Sequence, residues 1–184
     1  LEASHPIPDK NGLNATKEII KLAKSASEKD LVIFLVSGGA SALLFSIVQG
    51  ISFRQKQYIN NLLLKSGAPI KEMNIVRQSI SSIKGGRLAH LVKPAKLITY
   101  AISDIPGDDP KFIGSGPTVK SDLNVKEAIE VLKKYNIKVS QEIFNIIKNN
   151  NVPKIEDTPF YFVSTSMKAL IAAKDESSRN NLNP

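Results

Sequence analysis

The sequence contains no cysteine, which excludes a disulfide framework and any thiolate metal site. It also lacks tryptophan, and its two histidines, His5 and His90, are too few to form a metal site alone; His5 is expected on a surface arm. No segment approaches the roughly 18 consecutive apolar residues of a membrane-spanning helix. The first residues lack the basic and apolar regions of a secretory signal. We therefore expect a cytoplasmic protein without membrane contact.

Basic residues exceed acidic ones, and the 184-residue chain has a formal net charge of +8. Such a charge is compatible with nucleic acid, an anionic membrane or small phosphorylated ligands. Nucleic-acid binding needs clustered lysines and arginines interleaved with aromatic residues. Here the lysines are spread along the chain, arginines are scarce, and aromatic residues make up 6% of the sequence. We expect most of the charge to lie on solvated helix surfaces, with no nucleic-acid partner.

Short apolar runs alternate with amphipathic segments, which is typical of an α/β fold. Strands are predicted at residues 31–36, 95–102 and 160–163. The first run is apolar at every position, as in a parallel strand covered on both faces. A first helix is predicted to begin near Asn14. Further helices are predicted over residues 40–48, 52–65, 70–79, 125–135, 141–149 and 166–177. The pattern favours one α/β domain over residues 1–184 with a largely parallel sheet.

In such sheets the ligand lies beyond the carboxyl ends of the strands. The first predicted strand leads directly into Ser37, Gly38, Gly39, Ala40 and Ser41. Two glycines let backbone N–H groups approach a ligand closely, and the start of the following helix favours phosphate. A tight turn whose glycines serve only packing is the alternative. The glycine spacing matches neither a Walker A loop nor the dinucleotide fingerprint.

The second predicted strand leads into an acidic loop with Asp104, Asp108 and Asp109. Neighbouring carboxylates repel one another unless a cation is present. Mg²⁺ held by one or two carboxylates and substrate phosphates is a natural candidate. Asp104 is alternatively a general base toward a substrate hydroxyl, while Asp108 and Asp109 are alternatively turn and helix-capping residues.

A second glycine-rich loop follows the acidic loop. Its backbone and hydroxyl groups suit the lining of a phosphate or nucleotide site, and an ordinary connection is the alternative. The residues concerned are Gly114, Ser115, Gly116 and Thr118.

The densest set of polar residues lies just before these loops. Asn74 and Arg77 are three residues apart and share a face if residues 70–79 are helical, which predicts a substrate-binding pair. Lys84 and Arg87 flank a pair of glycines, and their cations suit an acidic substrate. A solvated basic turn is the alternative.

Taken together and in order, these motifs resemble those of the MOFRL-type glycerate 2-kinases, some of which are named hydroxypyruvate reductases. The resemblance covers nearly the whole chain. The motifs are HPIPD at 5–9, SGGASALL at 37–44, SGA at 66–68, NIVR at 74–77, IKGGRLA at 83–89, SDIPGDD at 103–109 and GSGPT at 114–118.

The resemblance implies a Rossmann-like three-layer α/β/α sandwich whose active site faces a second domain. It implies ATP- and Mg²⁺-dependent phosphorylation of D-glycerate to 2-phosphoglycerate. Transferred by position, residues 37–41 bind phosphate, and Lys84, Arg87 and Asp104 act in catalysis. Asp104, Asp108 and Asp109 are the expected metal ligands.

Members of that family are more than twice this length. They carry an N-terminal lysine and a C-terminal domain with an arginine that are absent from this sequence. The chain therefore resembles an incomplete large domain, with impaired or no activity alone. Expected partners are glycerate, ATP, and either a second copy of the chain or the missing segments. A phosphosugar-binding or isomerase-type domain and a non-catalytic binding or assembly module remain alternatives.

Overall fold

The computed structural model describes residues 1–182, which form eight α-helices, one short 3₁₀ helix at Ile113–Ser115 and three strands. The strands are β1 (Leu31–Val36), β2 (Lys96–Ser103) and β3 (Phe160–Thr165). The helices are α1 (Lys10–Ser25), α2 (Ala40–Leu43), α3 (Phe53–Lys65), α4 (Ile70–Ser79), α5 (Arg87–Val92), α6 (Val125–Lys134), α7 (Gln141–Asn149) and α8 (Ser166–Arg179). None of these helices is long and apolar enough to cross a membrane.

The three strands form one parallel sheet in the order β1-β2-β3. Val36 pairs with Ala101, and Ala101 pairs with Phe162, so β2 is the central strand. The register between β2 and β3 shifts after Ala101. The α/β class and the parallel sheet predicted from the apolar runs are confirmed.

Helices cover one face of the sheet. Val32 and Phe34 of β1 and Leu97 of β2 pack into a core with buried residues of α1 and α5. The opposite face is apolar and exposed: Leu35 is 73% exposed, and Tyr100 and Tyr161 stack on it with ring centroids 5.5 Å apart. The sequence predicted a strand covered on both faces, but within residues 1–182 only one face of β1 is covered.

A second core lies away from the sheet, between α3, α4, α6 and α7. Its centre is formed by side chains that are at most 3% exposed: Ile59, Leu63, Val76, Ile80, Leu132 and Ile147. The amphipathic helices predicted from the sequence meet here, because each supplies one apolar stripe to the shared interior.

Several helix boundaries follow from local capping. Ser52 and Gln55 form a reciprocal capping box at the start of α3, and the bounds of α4 and α7 match the prediction. The side chain of Asp9 accepts a hydrogen bond from the backbone N–H of Gly12, so α1 begins at Lys10 rather than near Asn14.

Two predictions about local structure were wrong. The helix predicted over residues 40–48 ends at Leu43, because Leu44 leaves helical geometry and the following Phe45 enters the interior. The solvated basic turn considered for Lys84 and Arg87 is also wrong: these residues are 2% and 7% exposed, and Arg87 begins α5. Gly86 precedes this helix with φ +77° in the left-handed region that glycine tolerates.

Leu63→Ala tests the second core. Leu63 is fully buried, so we expect the free energy of unfolding to fall by about 2–5 kcal/mol. The adjacent Leu64 is 61% exposed, and Leu64→Ala should change stability by less than about 1 kcal/mol. Urea unfolding of the two variants measures the difference, and equal losses would contradict the packing described here.

Candidate functional site

A cavity of about 370 Å³ lies at the carboxyl ends of β1 and β2. We call it the strand-end cavity. Segments far apart in the sequence contribute to its lining. Polar and glycine residues of that lining include His5, Ser37, Gly38, Gly39, Ser41, Lys56, Asn60, Arg77, Lys84, Asp104 and Gly114.

The two glycines after β1 make room for side chains from elsewhere in the chain. A Cβ atom at Gly38 would lie 2.3 Å from Oδ2 of Asp104, which follows β2. A Cβ atom at Gly39, where φ is +81°, would lie 3.1 Å from the ring of His5. The glycine pair therefore lets Asp104 and His5 approach the loop that follows β1.

Lys84 lies at the wall of this cavity and is 2% exposed. Its Nζ donates hydrogen bonds to the carbonyl oxygens of Ser41, at 3.2 Å, and Gly114, at 2.9 Å. These carbonyls belong to the two glycine-containing loops noted in the sequence. The buried Nζ of Lys84 thus connects the loop after β1 to the turn after β2.

Lys56 of α3 is a second buried cation on the same cavity, and it is 1% exposed. Its Nζ donates to the carbonyl oxygens of Ser46 and Ile80 and lies 4.8 Å from the centre of the Phe45 ring. The sequence analysis missed Lys56. The spacing of Lys56 from Ile59 and Leu63 could have revealed it, because these three residues lie on one face of α3 and that face is buried.

The positive charge in this cavity has no acidic counterpart in direct contact. Arg77 is half-buried, and its guanidinium group makes no hydrogen bond to another side chain or carbonyl of residues 1–182. The ion pairs of the described chain lie elsewhere, at Lys111–Asp122, Lys134–Glu72 and Arg179–Glu176. No acidic group therefore balances the cationic forms of Lys56, Arg77 and Lys84 within residues 1–182, and an anionic ligand would balance them.

Burial and mutual repulsion change the proton affinity of these groups. Burial, followed by repulsion from Arg77, lowers the pKa of Lys84 to about 7. Burial also lowers the pKa of Lys56 well below its ordinary value, with further contributions from Lys84, Arg87 and Arg77. The lysines are held in surroundings that disfavour their charged forms until an anion is present.

Residues 1–148 match the family model described as a domain of unknown function, DUF4147. The chain belongs to the DUF4147 family. A D-glycerate 2-kinase of Thermotoga maritima is 35% identical over 99% of this chain, and a protein of Agrobacterium vitis provisionally named hydroxypyruvate reductase is 42% identical over all of it. The resemblance to glycerate 2-kinases seen in the motifs is confirmed.

The fold of this DUF4147 chain is that of a solved glycerate kinase. The crystal structure of the Thermotoga maritima protein superposes with a TM-score of 0.90 at 35% identity and covers 99% of this chain. The chain covers 44% of that structure, and 49% and 44% of the Agrobacterium and Thermotoga sequences. It thus spans about half the length of these relatives.

The structure brings many of the predicted site residues of this DUF4147 chain to the strand-end cavity. They are Ser37, Gly38, Gly39, Ala40, Ser41, Arg77, Lys84, Asp104 and Gly114. His5, expected on a surface arm, also lines the cavity. The phosphate site was predicted at the start of a long helix, but α2 has only four residues. The positive character of the cavity therefore comes from side chains.

Arg87 has a different environment from Lys84. Its guanidinium group donates to the carbonyl oxygens of Gln78, Lys84 and Asn150 at 2.8–3.1 Å, and it is not among the residues that line the strand-end cavity. These bonds connect the end of α4 to the segment that follows α7. Arg87 therefore supports the main chain behind the strand-end cavity.

The remaining predicted residues lie around a second cavity of about 490 Å³ or inside the fold. Asn74 and Gly116 line this second cavity, and the Asn74 amide oxygen accepts a hydrogen bond from Ser115 Oγ at 3.0 Å. The hydroxyl groups of Thr118 and Thr99 are hydrogen-bonded at 2.8 Å, which fixes the loop to β2. Asn74 and Arg77 therefore face different cavities.

Of the three aspartates proposed as metal ligands, only Asp104 lines the strand-end cavity. Asp109 lines the second cavity, and its carboxylate accepts a hydrogen bond from the backbone N–H of Lys111 at 2.9 Å, as a turn residue does. Asp108 lines neither cavity and has φ +48°. Residues 1–182 contain no group of three or more histidine or acidic side chains arranged to hold a metal.

Gly38→Ala tests the approach of Asp104 to the loop after β1. The added Cβ overlaps a flexible carboxylate rather than main chain, so we expect Asp104 to move at a cost of no more than about 1.5 kcal/mol. A crystal structure of the variant measures the displacement. Arg54→Ala, at an exposed position of α3 outside the strand-end cavity, is the control and should leave Asp104 in place. An unmoved Asp104 in Gly38→Ala would contradict the close approach.

Arg87→Ala tests the support given to the main chain. The change leaves buried carbonyl oxygens without a donor, so the free energy of unfolding should fall by about 2–4 kcal/mol. Arg54→Ala, at an exposed position of α3, should change it by less than about 0.5 kcal/mol. Thermal and urea unfolding compare the two variants, and a fully stable Arg87→Ala would refute the supporting role.

Proposed function

We propose that this chain forms the phosphate- and glycerate-binding part of a glycerate 2-kinase, which transfers a phosphoryl group from ATP to the 2-hydroxyl of D-glycerate. The names of its relatives support the reaction. The observation that carries the proposal is the convergence of Lys56, Arg77 and Lys84 on one cavity without an acidic partner in contact. Phosphoryl transfer depends on positioning and charge neutralisation, which such a cavity provides.

Six polar residues that line the strand-end cavity have roles in this proposal. Lys84 donates to a phosphoryl oxygen, while Lys56 adds positive charge from behind. Arg77 has an unused guanidinium fork that suits a phosphate or the carboxylate of glycerate. The hydroxyls of Ser37 and Ser41 supply further donors. Asp104, at the end of β2, orients the attacking hydroxyl or accepts its proton.

The donor set around Asp104 fits a divalent cation shared with the nucleotide. Mg²⁺ is commonly bound by one or two carboxylates together with substrate phosphates and water. Asp104 would hold it, and Asp108 and Asp109 are not needed for this arrangement. When bound, the metal neutralises charge on the phosphoryl oxygens.

The chain spans about half the length of the glycerate kinases that it resembles. We therefore propose that the 184 residues bind ligand, and that turnover requires further segments of the same enzyme or a second copy of the chain. Binding and turnover are then separate properties and need separate measurements.

Binding of ATP to the 184-residue chain tests the cavity. Isothermal titration calorimetry should give a micromolar dissociation constant that rises when Mg²⁺ is removed. Arg77→Met should weaken binding by about 10- to 100-fold, since a hydrogen bond to a charged group is lost. The exposed Arg54→Met should bind ATP unchanged. Binding of a sugar phosphate without any Mg²⁺-dependent binding of ATP would favour a phosphosugar-binding domain instead.

Turnover is tested on a full-length polypeptide that contains this sequence. It should release ADP only when D-glycerate is present. Asp104→Asn should lower kcat by at least about 100-fold, because the carboxylate no longer accepts a proton or holds the metal. A full-length form that releases no ADP in response to D-glycerate would refute the proposed reaction.

A further inference from the structure

Lys84 is almost wholly buried, and its side chain has two hydrogen-bond partners within residues 1–182. Its Nζ donates to the carbonyl oxygens of Ser41 and Gly114, and the residue is 2% exposed. Within residues 1–182 no third acceptor lies within hydrogen-bond distance of this nitrogen. Lys84 lines the strand-end cavity, so a third partner can reach this nitrogen from the cavity.

The number of partners matches the neutral amine and not the ammonium ion. A neutral lysine amine has two N–H donors and one lone pair, whereas the ammonium ion has three donors. The two carbonyls satisfy both donors of the amine. Protonation adds a third donor and a positive charge that no acidic group contacts within residues 1–182, and an anion in the strand-end cavity would stabilise both.

Lys56 differs from Lys84 in the contacts of its nitrogen. Lys56 also donates to two carbonyl oxygens, but its Nζ lies 4.8 Å from the centre of the Phe45 ring. The face of an aromatic ring attracts a cation. Lys56 therefore has a third contact within the fold, whereas the hydrogen-bond partners of Lys84 are the two carbonyl oxygens alone.

The positive charge near Lys84 also disfavours its protonation. Arg77 of α4 repels the charged form of Lys84, and Lys84 in turn repels that of Lys56 of α3. Arg87 of α5 donates a hydrogen bond to the main-chain oxygen of Lys84 at 3.0 Å. Asp104 and His5 line the same cavity, but neither is bonded to Lys84. Burial and the repulsion from Arg77 lower its pKa to about 7, which agrees with the count of donors.

We infer that Lys84 takes up a proton from solvent when a dianionic oxyanion, such as a phosphoryl group, enters the strand-end cavity and becomes its third acceptor. The lone pair of the amine forms a third N–H bond with a proton released by solvent, and no bond of the anion changes. The inference rests on the proposed function only in requiring an anion to bind in this cavity. Binding is then linked to pH and weakens as the solution becomes more alkaline.

Sulfate is the probe that isolates this effect, because it remains a dianion throughout the range used and releases no proton itself. Titration calorimetry of the 184-residue chain at pH 8, in Tris and in Bicine, separates the heat of buffer ionisation from the heat of binding. We expect uptake of about one proton per sulfate bound. The dissociation constant should rise about tenfold between pH 8 and pH 9.

Lys84→Arg is the decisive variant. A guanidinium group stays charged throughout this range, so the variant should still bind sulfate, with no proton uptake and a dissociation constant independent of pH. Lys148→Met, at an exposed position of α7, is the matched control and should behave as the unchanged chain. If Lys84→Arg does not fold, the ¹³Cε resonance of Lys84 in the unchanged chain reports its protonation directly at pH 8.5, with and without sulfate.

The outcomes separate this inference from the proposed function. Sulfate binding without proton uptake, uptake that persists in Lys84→Arg, or a ¹³Cε resonance that sulfate leaves unchanged would overturn the role of Lys84 while leaving the anion site in place. A chain that binds neither sulfate nor ATP with Mg²⁺ would overturn both. Uptake lost only in Lys84→Arg supports the inference.

Discussion

The Nζ of Lys84, held between the carbonyl oxygens of Ser41 and Gly114, is the contact on which the site depends. It joins the loops that follow two neighbouring strands and so sets the width of the strand-end cavity. Lys56 and Arg87 bind main-chain carbonyls in the same way. Carbonyl oxygens satisfy donors without cancelling charge. The fold thereby gathers basic side chains around one cavity without an acidic partner in contact, and a cavity lined by such groups is suited to anions.

The glycines after β1 serve this arrangement differently from those of a phosphate-binding loop. Gly38 gives space to the carboxylate of Asp104, and Gly39 gives space to the ring of His5. The loop thus gathers one acidic and one imidazole side chain beside the lysines. Because α2 is a single short turn, the phosphate site that we propose relies on basic side chains more than on a helix dipole. Acidic, imidazole and basic side chains then line one cavity, an arrangement that suits the proposed phosphoryl transfer.

The site is assembled within a chain that spans about half the length of its glycerate kinase relatives. His5, the loop after β1, α3, α4 and the turn at Gly114 all contribute to it. The exposed apolar face of the sheet lies on the side away from the covering helices α1 and α5. The strand-end cavity is therefore formed by contacts internal to these residues, and the turnover that we propose draws on further segments.

Local sequence determined the elements and the family of this protein. Apolar runs determined the strands, caps such as Ser52 determined helix starts, and ordered motifs revealed the relationship to glycerate kinases. Tertiary structure alone decided the roles of the cations. Lys84 and Arg87 looked equivalent beside their glycines, yet Lys84 lines the cavity while Arg87 binds carbonyls behind it. The reason is physical: periodicity records which face of an element is buried, whereas burial and charge at a site depend on segments that meet only when the chain folds.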